Sequence, residues 1–505
     1  MVVCILYTVI RYKPRRLNKM SFLSIVPSAS TLRPAFNVGC LMDIVTGTFY
    51  KGRRGENILN GGFHPLTFFQ GPPHSWKTTI ADYFTLTTLD RISSAEASKY
   101  CSEGTSSYTR LIEFSQRMEN LKDILHGDEN LTDEERRLVL TSYPIWYGEK
   151  YYDNIRDYCK QRIKSKEALL ETPFLNSAGD SIKILKPLLS IIDSLSQFKI
   201  KKIEDSTLEE NSVGDSENNT YFMKYGLAKK LLITQAPGIS IRGGIYFIMT
   251  AHIGNVIEMG GKFDPKPIAL ADAKKGTKRK GVPDEWDSLP NVLFEIMDVS
   301  PCNNKEAKTG VLYPLTEEDR DKDCTDLRIL TLKIVRSKHG LTAGKIKIIV
   351  SQREGVLSHL SNFHFIKEDN FGISGNNTTY HLDLLPNVNL SRTTVRGLID
   401  NNYQLQRALE LTSDLLQIKT TWAPLPHGYM CDPLTLYIDL KNMGYDWSML
   451  LNTRNWWCFV EDEPKNLPQL TTMDLLEMRL GIYFPYFLND DKISYRKDIK
   501  HLLNP

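Results

Sequence analysis

Gly71-Pro72-Pro73-His74-Ser75-Trp76-Lys77-Thr78 is the stretch whose residue types and spacing most plainly suit chemistry. A lysine able to neutralise phosphate oxygens and a hydroxyl able to ligate Mg2+ stand together after a glycine-led turn. The turn lies between a predicted buried strand, Leu66–Phe69, and a predicted helix, Thr78–Leu89. In that context backbone N–H groups and a helix N-terminus converge on phosphate. The expected nucleotide-binding residues are therefore Gly71, Pro72, Pro73, His74, Ser75, Trp76, Lys77, Thr78 and Thr79. Trp76 stands where a second glycine is usual, and it is costly if the backbone there must be left-handed. A chance match to the spacing is the competing account.

Other candidates follow along the chain. Leu188–Ile192 reads as an apolar strand ending in Asp193. A carboxylate at the end of a buried strand can hold a Mg2+ shell; an Asp-Ser pair is equally suited to capping a helix. Gly244–Ala251 reads as another strand, closed by His252, where a lone histidine is more often structural. Lys333–Lys338 alternates apolar and basic residues at a strand end and leaves Arg336 and Lys338 as candidate cations. Lys274, Lys275, Lys278, Arg279 and Lys280 fall within seven residues, with Lys262 and Lys266 upstream. Such a run is either a solvated face or a phosphate-binding patch.

These residues need a scaffold, and the pattern predicts an α/β one. Between residues 39 and 350, continuous apolar runs alternate with amphipathic stretches, as a mostly parallel sheet covered on both faces requires. Ile329–Val335 and Ile346–Val350 are expected to pair as a hairpin. Lys199–Asn219, acidic after Ile203, and Gly254–Trp286, rich in Lys, Gly and Pro, are expected as long loops. Leu405–Leu416 reads as a helix in an aromatic-rich tail holding Trp422, Trp447, Trp456, Trp457, Tyr483 and Phe484.

Composition narrows the class. With 505 residues, 41% hydrophobic and 24% charged, the chain suits a multi-domain globular protein. A net charge of +3 means that any nucleic-acid binding must come from a local patch. The 8 cysteines form no CxxC pair and no zinc-ligand spacing, which fits isolated thiols in a reducing cytoplasm. Met1–Ile10 is apolar but too short to span a bilayer, and Arg11–Lys19 is on the wrong side of it for a signal peptide. Translation from Met20 is one reading of this end.

Together with Thr46-Gly47-Thr48-Phe49 and Asn60-Gly61-Gly62-Phe63-His64-Pro65, the loop at 71–78 resembles the RecA family's approach to its P-loop. The closest resemblance is to the UvsX-like recombinases of tailed bacteriophages, which also carry a bulky aromatic before the lysine. The resemblance spans roughly residues 39–350. It implies a RecA-like ATPase core at 39–370, an N-terminal segment at 1–38 that is either partly disordered or an oligomerisation arm, and a smaller C-terminal α+β or helical domain at 371–505. It implies ATP and Mg2+ as cofactors, with Thr78 and Asp193 as metal residues. It makes Glu103 the group that activates water, with Glu113 as a second candidate, although Ser93–Lys99 is less apolar than a central strand should be. It makes His252 a γ-phosphate sensor, and Arg336 and Lys338 cations that reach a neighbouring subunit's ATP. The second DNA-binding loop of the family falls on Lys262, Lys274, Lys275, Lys278, Arg279 and Lys280. The first falls on Val213–Ser216, whose acidic surroundings should repel phosphate.

The implied activity is ATP-dependent strand exchange by a filament on single-stranded DNA, paired with homologous duplex DNA. A loader or single-strand-binding protein is an expected partner, no membrane is involved, and a phage protein would work in the host bacterial cytoplasm. A hexameric RecA-fold helicase, forming a ring, and a DNA-binding protein with a decayed ATPase are the alternatives.

Overall fold

A computed structural model describes residues 32–104, 107–121, 137–165, 169–210, 218–255, 277–303, 311–316, 325–340, 342, 344–376, 379–421 and 425–488. Its centre is one large sheet of ten strands: β1 (Leu66–Gly71), β2 (Glu96–Cys101), β3 (Leu138–Ser142), β4 (Leu188–Asp193), β5 (Ile245–Asn255), β6 (Thr277–Lys280), β7 (Val292–Pro301), β8 (Leu327–Ser337), β9 (Lys345–Ser351) and β10 (Gly355–Val356). The spatial order is β10-β9-β8-β7-β1-β5-β4-β2-β3, with β6 pairing β5. From β7 to β3 every pairing along that path is parallel. The strands β8, β9 and β10 continue it in antiparallel fashion, and β6 runs antiparallel to β5. The fold is therefore the expected mixed α/β class, with a mostly parallel central sheet.

Alternation along β1 shows why both faces are covered. Phe68 stacks on Trp286 at 4.4 Å on one face, in a core shared with Tyr151, Tyr152 and Ile155 of helix α2 (Gly148–Ser165). Leu232, Ile233 and Ala236 of helix α3 (Asn218–Gly243) join the same core. Phe69 points the other way, to Phe84 of helix α1 (Lys77–Arg91) and Phe294 of β7. Every residue of β1 and of β4 is buried, as a strand sandwiched between helices demands.

The hairpin Thr48–Lys51 with Asn57–Asn60 leads into β1. Gly61 sits beside it because a Cβ there would lie 1.9 Å from the Asp43 carbonyl oxygen. The described residues from 33 to 488 belong to one compact unit, and those beyond 370 pack onto the hairpin and its approach. Trp457 donates from Nε1 to the Ala35 carbonyl at 2.8 Å, stacks on Phe36 and meets Phe174 edge-on. Asn57 donates to Asp474, and Lys51 pairs with Glu477. Part of the aromatic tail is thus core, with Trp457 1% exposed.

Three sequence expectations change. The strand closed by His252 continues to Asn255, because β6 pairs with it from Thr277↔Asn255 to Lys280↔His252. The expected loop Lys199–Asn219 contains a helix, Lys201–Glu210; Glu204 is anchored there by Lys199 at 3.1 Å and by the Tyr143 hydroxyl. The loop Gly254–Trp286 is ordered at its far end, where Glu285–Ser288 is helical and Trp286 is fully buried. Val213–Ser216 and Trp422 lie outside the described residues, as does Met1–Ile10. Among the described residues no helix is long and apolar enough to cross a membrane.

Trp457→Ala should remove about 3–5 kcal/mol of stability, as large buried aromatics do, and should lower a single unfolding transition. Urea denaturation followed by circular dichroism measures it, and a loss under about 1 kcal/mol would contradict the packing role assigned to Trp457.

Candidate nucleotide site at the carboxyl ends of the parallel strands

In open α/β sheets ligands bind outside the carboxyl ends of the strands, where connections diverge. Here the loop at that end of β1 wraps the N-terminus of α1. Gly71 is required by closeness: a Cβ would lie 2.5 Å from Ser75 Oγ and 3.2 Å from Ile296 Cβ. His74 (φ 59°) and Trp76 (φ 67°) both adopt the left-handed conformation, so the strain expected at Trp76 is present. Among the described residues no side chain caps α1 at Trp76, and the first-turn N–H groups face out of the helix for an anion. Pro72, Pro73 and His74 are exposed; Ser75, Lys77 and Thr79 are buried.

Lys77 turns back into its own loop. Its Nζ donates to the Gly71 carbonyl at 3.1 Å, the Pro72 carbonyl at 2.6 Å and Ser75 Oγ at 3.2 Å. Burial pulls its pKa down to about 8, against the attraction of Asp193 and Glu103. Thr78 Oγ1 donates to Asp193 Oδ2 at 2.7 Å, and Thr250 Oγ1 donates to Asp193 Oδ1 at 2.6 Å. The Asp193 backbone carbonyl accepts from Ser102 N at 2.8 Å. Asp193 is therefore held as a strand-end acceptor rather than as a helix cap, the alternative its sequence allowed.

Ser102 and Ser194 lock β2 to β4: Ser194 N donates to Ser102 Oγ, whose hydroxyl donates to the Ser194 carbonyl. This places Glu103 over the site, with Oε1 3.2 Å from Ser194 Oγ and 2.9 Å from His252 Nε2. The hydrogen bond from His252 holds the Glu103 carboxyl below its usual range. Among the described residues His252 Nδ1 is buried with no hydrogen-bond partner, and its backbone N–H is fixed by Ser196 Oγ at 2.8 Å. Glu113 instead lies exposed on the helix Tyr108–Ser115.

Arg336 and Lys338 are not brought to this cluster. Arg336 aligns with Leu293 of β7, and Leu293 aligns with Phe68, three residues before Gly71 in β1. Its Nε donates to the Pro290 carbonyl and Lys338 Nζ to the Leu289 carbonyl, both still further from the loop. Burial, with Arg336 alongside, lowers the Lys338 ammonium's pKa. Of the basic run, Lys278, Arg279 and Lys280 lie on β6; Lys262, Lys274 and Lys275 fall outside the described residues.

Contributors with no motif of their own complete the site. Thr250 precedes His252 by two residues, so strand alternation puts both on one face; that period was the available signal. Gln70 joins β1 to the segment after residue 276: its Nε2 donates to Glu295 Oε2 at 2.8 Å, and its Oε1 accepts from Trp286 Nε1 at 3.1 Å.

Thr78 Oγ1 and Asp193 Oδ2 are two adjacent hard oxygens, a donor set that suits Mg2+ sharing its sphere with phosphate and water. Among the described residues no cluster of three or more His, Cys, Asp or Glu could cage a metal by itself.

No protein-family model and no curated protein matches the sequence. Among solved structures the chain is similar to one described as the crystal structure of the RadB recombinase, at TM-score 0.30 and 14% identity, covering 59% of this chain and 92% of that one.

Because free Lys77 titrates near pH 8, an anion bound to it must draw a proton in at higher pH. Affinity for a nucleotide triphosphate should be flat below pH 7 and fall about tenfold by pH 9, one decade per unit above the pKa. Fluorescent-nucleotide titrations at the two pH values check this; equal affinity would contradict the buried, depressed lysine.

Proposed function

We propose that the chain is a DNA-dependent ATPase of RecA type, and that it acts as a strand-exchange recombinase on single-stranded DNA. The observation that carries the reading is the convergence of Lys77, the Thr78–Asp193 contact and the Glu103–His252 pair on one end of four neighbouring strands. Glycine turn, buried lysine, helix N-terminus, hydroxyl–carboxylate pair and a second carboxylate are the parts phosphoryl transfer to water needs.

Each residue has work in this reading. Lys77 exchanges its loop carbonyls for the β- and γ-phosphate oxygens. Thr78 and Asp193 hold Mg2+, which neutralises phosphate charge when bound. Glu103 Oε1 accepts the proton of the attacking water, and His252 meets the γ-phosphate. His252 Nε2 also bonds Glu103 Oε1, so phosphate and carboxylate compete for it. Nucleotide state then reaches β6 and its basic residues, since Lys280 is the cross-strand partner of His252.

Supply of cations in trans is supported by the position of Arg336 and Lys338 at the opposite end of β1 from the loop. A second copy placing that end over this loop would bring both cations to the phosphates, which makes hydrolysis depend on assembly. DNA contacts are assigned to Lys262, Lys274, Lys275, Lys278, Arg279 and Lys280, sequence-independent and sensitive to salt. The resemblance to the phage-type branch rests on Trp76 and is part of the proposal, as is a loader or single-strand-binding partner.

Electron microscopy with single-stranded DNA and a non-hydrolysable ATP analogue tests the assembly. Open helical filaments are expected. Closed rings without filaments would move the reading to a hexameric helicase, and no assembly at all would remove the trans arrangement.

A further inference from the structure

Two buried charges beside the site have no part in the chemistry above. Lys99 of β2 and Asp82 of α1 form an ion pair of 2.5 Å, with side chains only 3% and 4% exposed. Resting on the nucleotide-site reading, we propose that Asp82 is a positioning residue that holds the Lys99 ammonium off Asp193, leaving that carboxylate free for a divalent cation.

The geometry puts all three charges in one small volume. Lys99 is the cross-strand neighbour of Ile191, and two residues on, Cys101 is the neighbour of Asp193. Residues two apart on a strand share a face, so Lys99 projects from the same side of β2 as Cys101. Asp82 stands four residues after Thr78 on α1, one turn along the same helix face, and Thr78 is the residue whose hydroxyl meets Asp193. The pair therefore lies one strand step and one helix turn behind the candidate metal oxygens.

An ammonium has three N–H donors. Among the described residues, Asp82 Oδ1 is the hydrogen-bond acceptor for Lys99. Burial works against the Lys99 charge, but attraction to Asp82, then to Asp193, more than offsets it, and the ammonium's pKa is raised. Asp193 is thus the second anion that this cation feels. Stability does not account for such a pair, since well-packed apolar residues of similar volume commonly serve as well or better. The pair does account for a charge balance. Without Asp82, the flexible lysine stem would carry its charge to the remaining carboxylate and compete there with a metal ion.

Arginine in place of Lys99 provides an independent probe, because its longer side chain and planar fork of five donors let it pair with Asp82 and still reach the Asp193 carboxylate.

The test measures the Mg2+ concentration that half-saturates binding of a methylanthraniloyl-ATP probe to the full chain, with circular dichroism confirming the folded state of each variant. Asp82→Asn is expected to raise the half-saturating Mg2+ at least tenfold. Adding Lys99→Met to it should return the value to within threefold of the parent, because the competing cation is gone. Lys99→Arg should also raise it at least fivefold, which keeps the inference testable even if Asp82→Asn does not fold. A purely structural pair would lower thermal stability in these variants while leaving the Mg2+ half-point of the folded protein unchanged. That result, or an Asp82→Asn defect that Lys99→Met fails to reverse, overturns the inference alone. A parent chain that binds no probe at any Mg2+ concentration overturns both the inference and the nucleotide-site reading beneath it.

Discussion

The structure around the site hangs on the demands of one carboxylate. Asp193 ends a strand buried on both faces, and polar groups taken out of water must find partners. It finds Thr78 and Thr250 for its two side-chain oxygens and Ser102 for its carbonyl. Each partner fixes an element: Thr78 the start of α1 and the loop before it, Thr250 the strand carrying His252, Ser102 the turn carrying Glu103. The distances among lysine, hydroxyl, carboxylate and histidine follow from satisfying one buried acceptor.

The loop itself accepts strain. Two non-glycine residues in the left-handed region within three positions cost of order 1–3 kcal/mol each, and the surrounding fold must hold them. Lys77 is likewise held by hydrogen bonds to its own loop carbonyls, which tie the loop to the start of α1. The opposite end of the same sheet carries cations that its own loop cannot use. In the proposed account those two facts belong together: one end of the sheet is prepared to receive phosphate, the other to complete a neighbour's site.

Much of this was legible in sequence where one physical signal dominated. Leu66–Phe69 and Leu188–Ile192 were readable as strands because short, mostly apolar runs leave few alternatives, and the hairpin of β8 with β9 was readable for the same reason. Strand β2 was obscured by Lys99, whose burial makes sense only once Asp82 of α1 lies against it. The end of β5 was unreadable because β6, which extends it, comes after an intervening segment of more than twenty residues. The helix Lys201–Glu210 was hidden by polarity: its anchor, Glu204, is buried by partners distant in sequence or outside its helix. Within the site, Lys77, Thr78 and Asp193 follow a spacing that chemistry imposes. Thr250, Ser102 and Ser194 are ordinary hydroxyls, and only three-dimensional adjacency gives them a role.

The central claim is that one ATP site is assembled from two copies, with Lys77 from one and Arg336 from the next. Mixing Lys77→Ala chains with Arg336→Ala chains, each inactive in hydrolysis alone, tests it most directly. Partial recovery of DNA-stimulated ATP hydrolysis, peaking at intermediate mixing ratios, is the predicted result, because some interfaces then pair an intact loop with an intact arginine. No recovery at any ratio, with both variants folded and assembling on DNA, would contradict it.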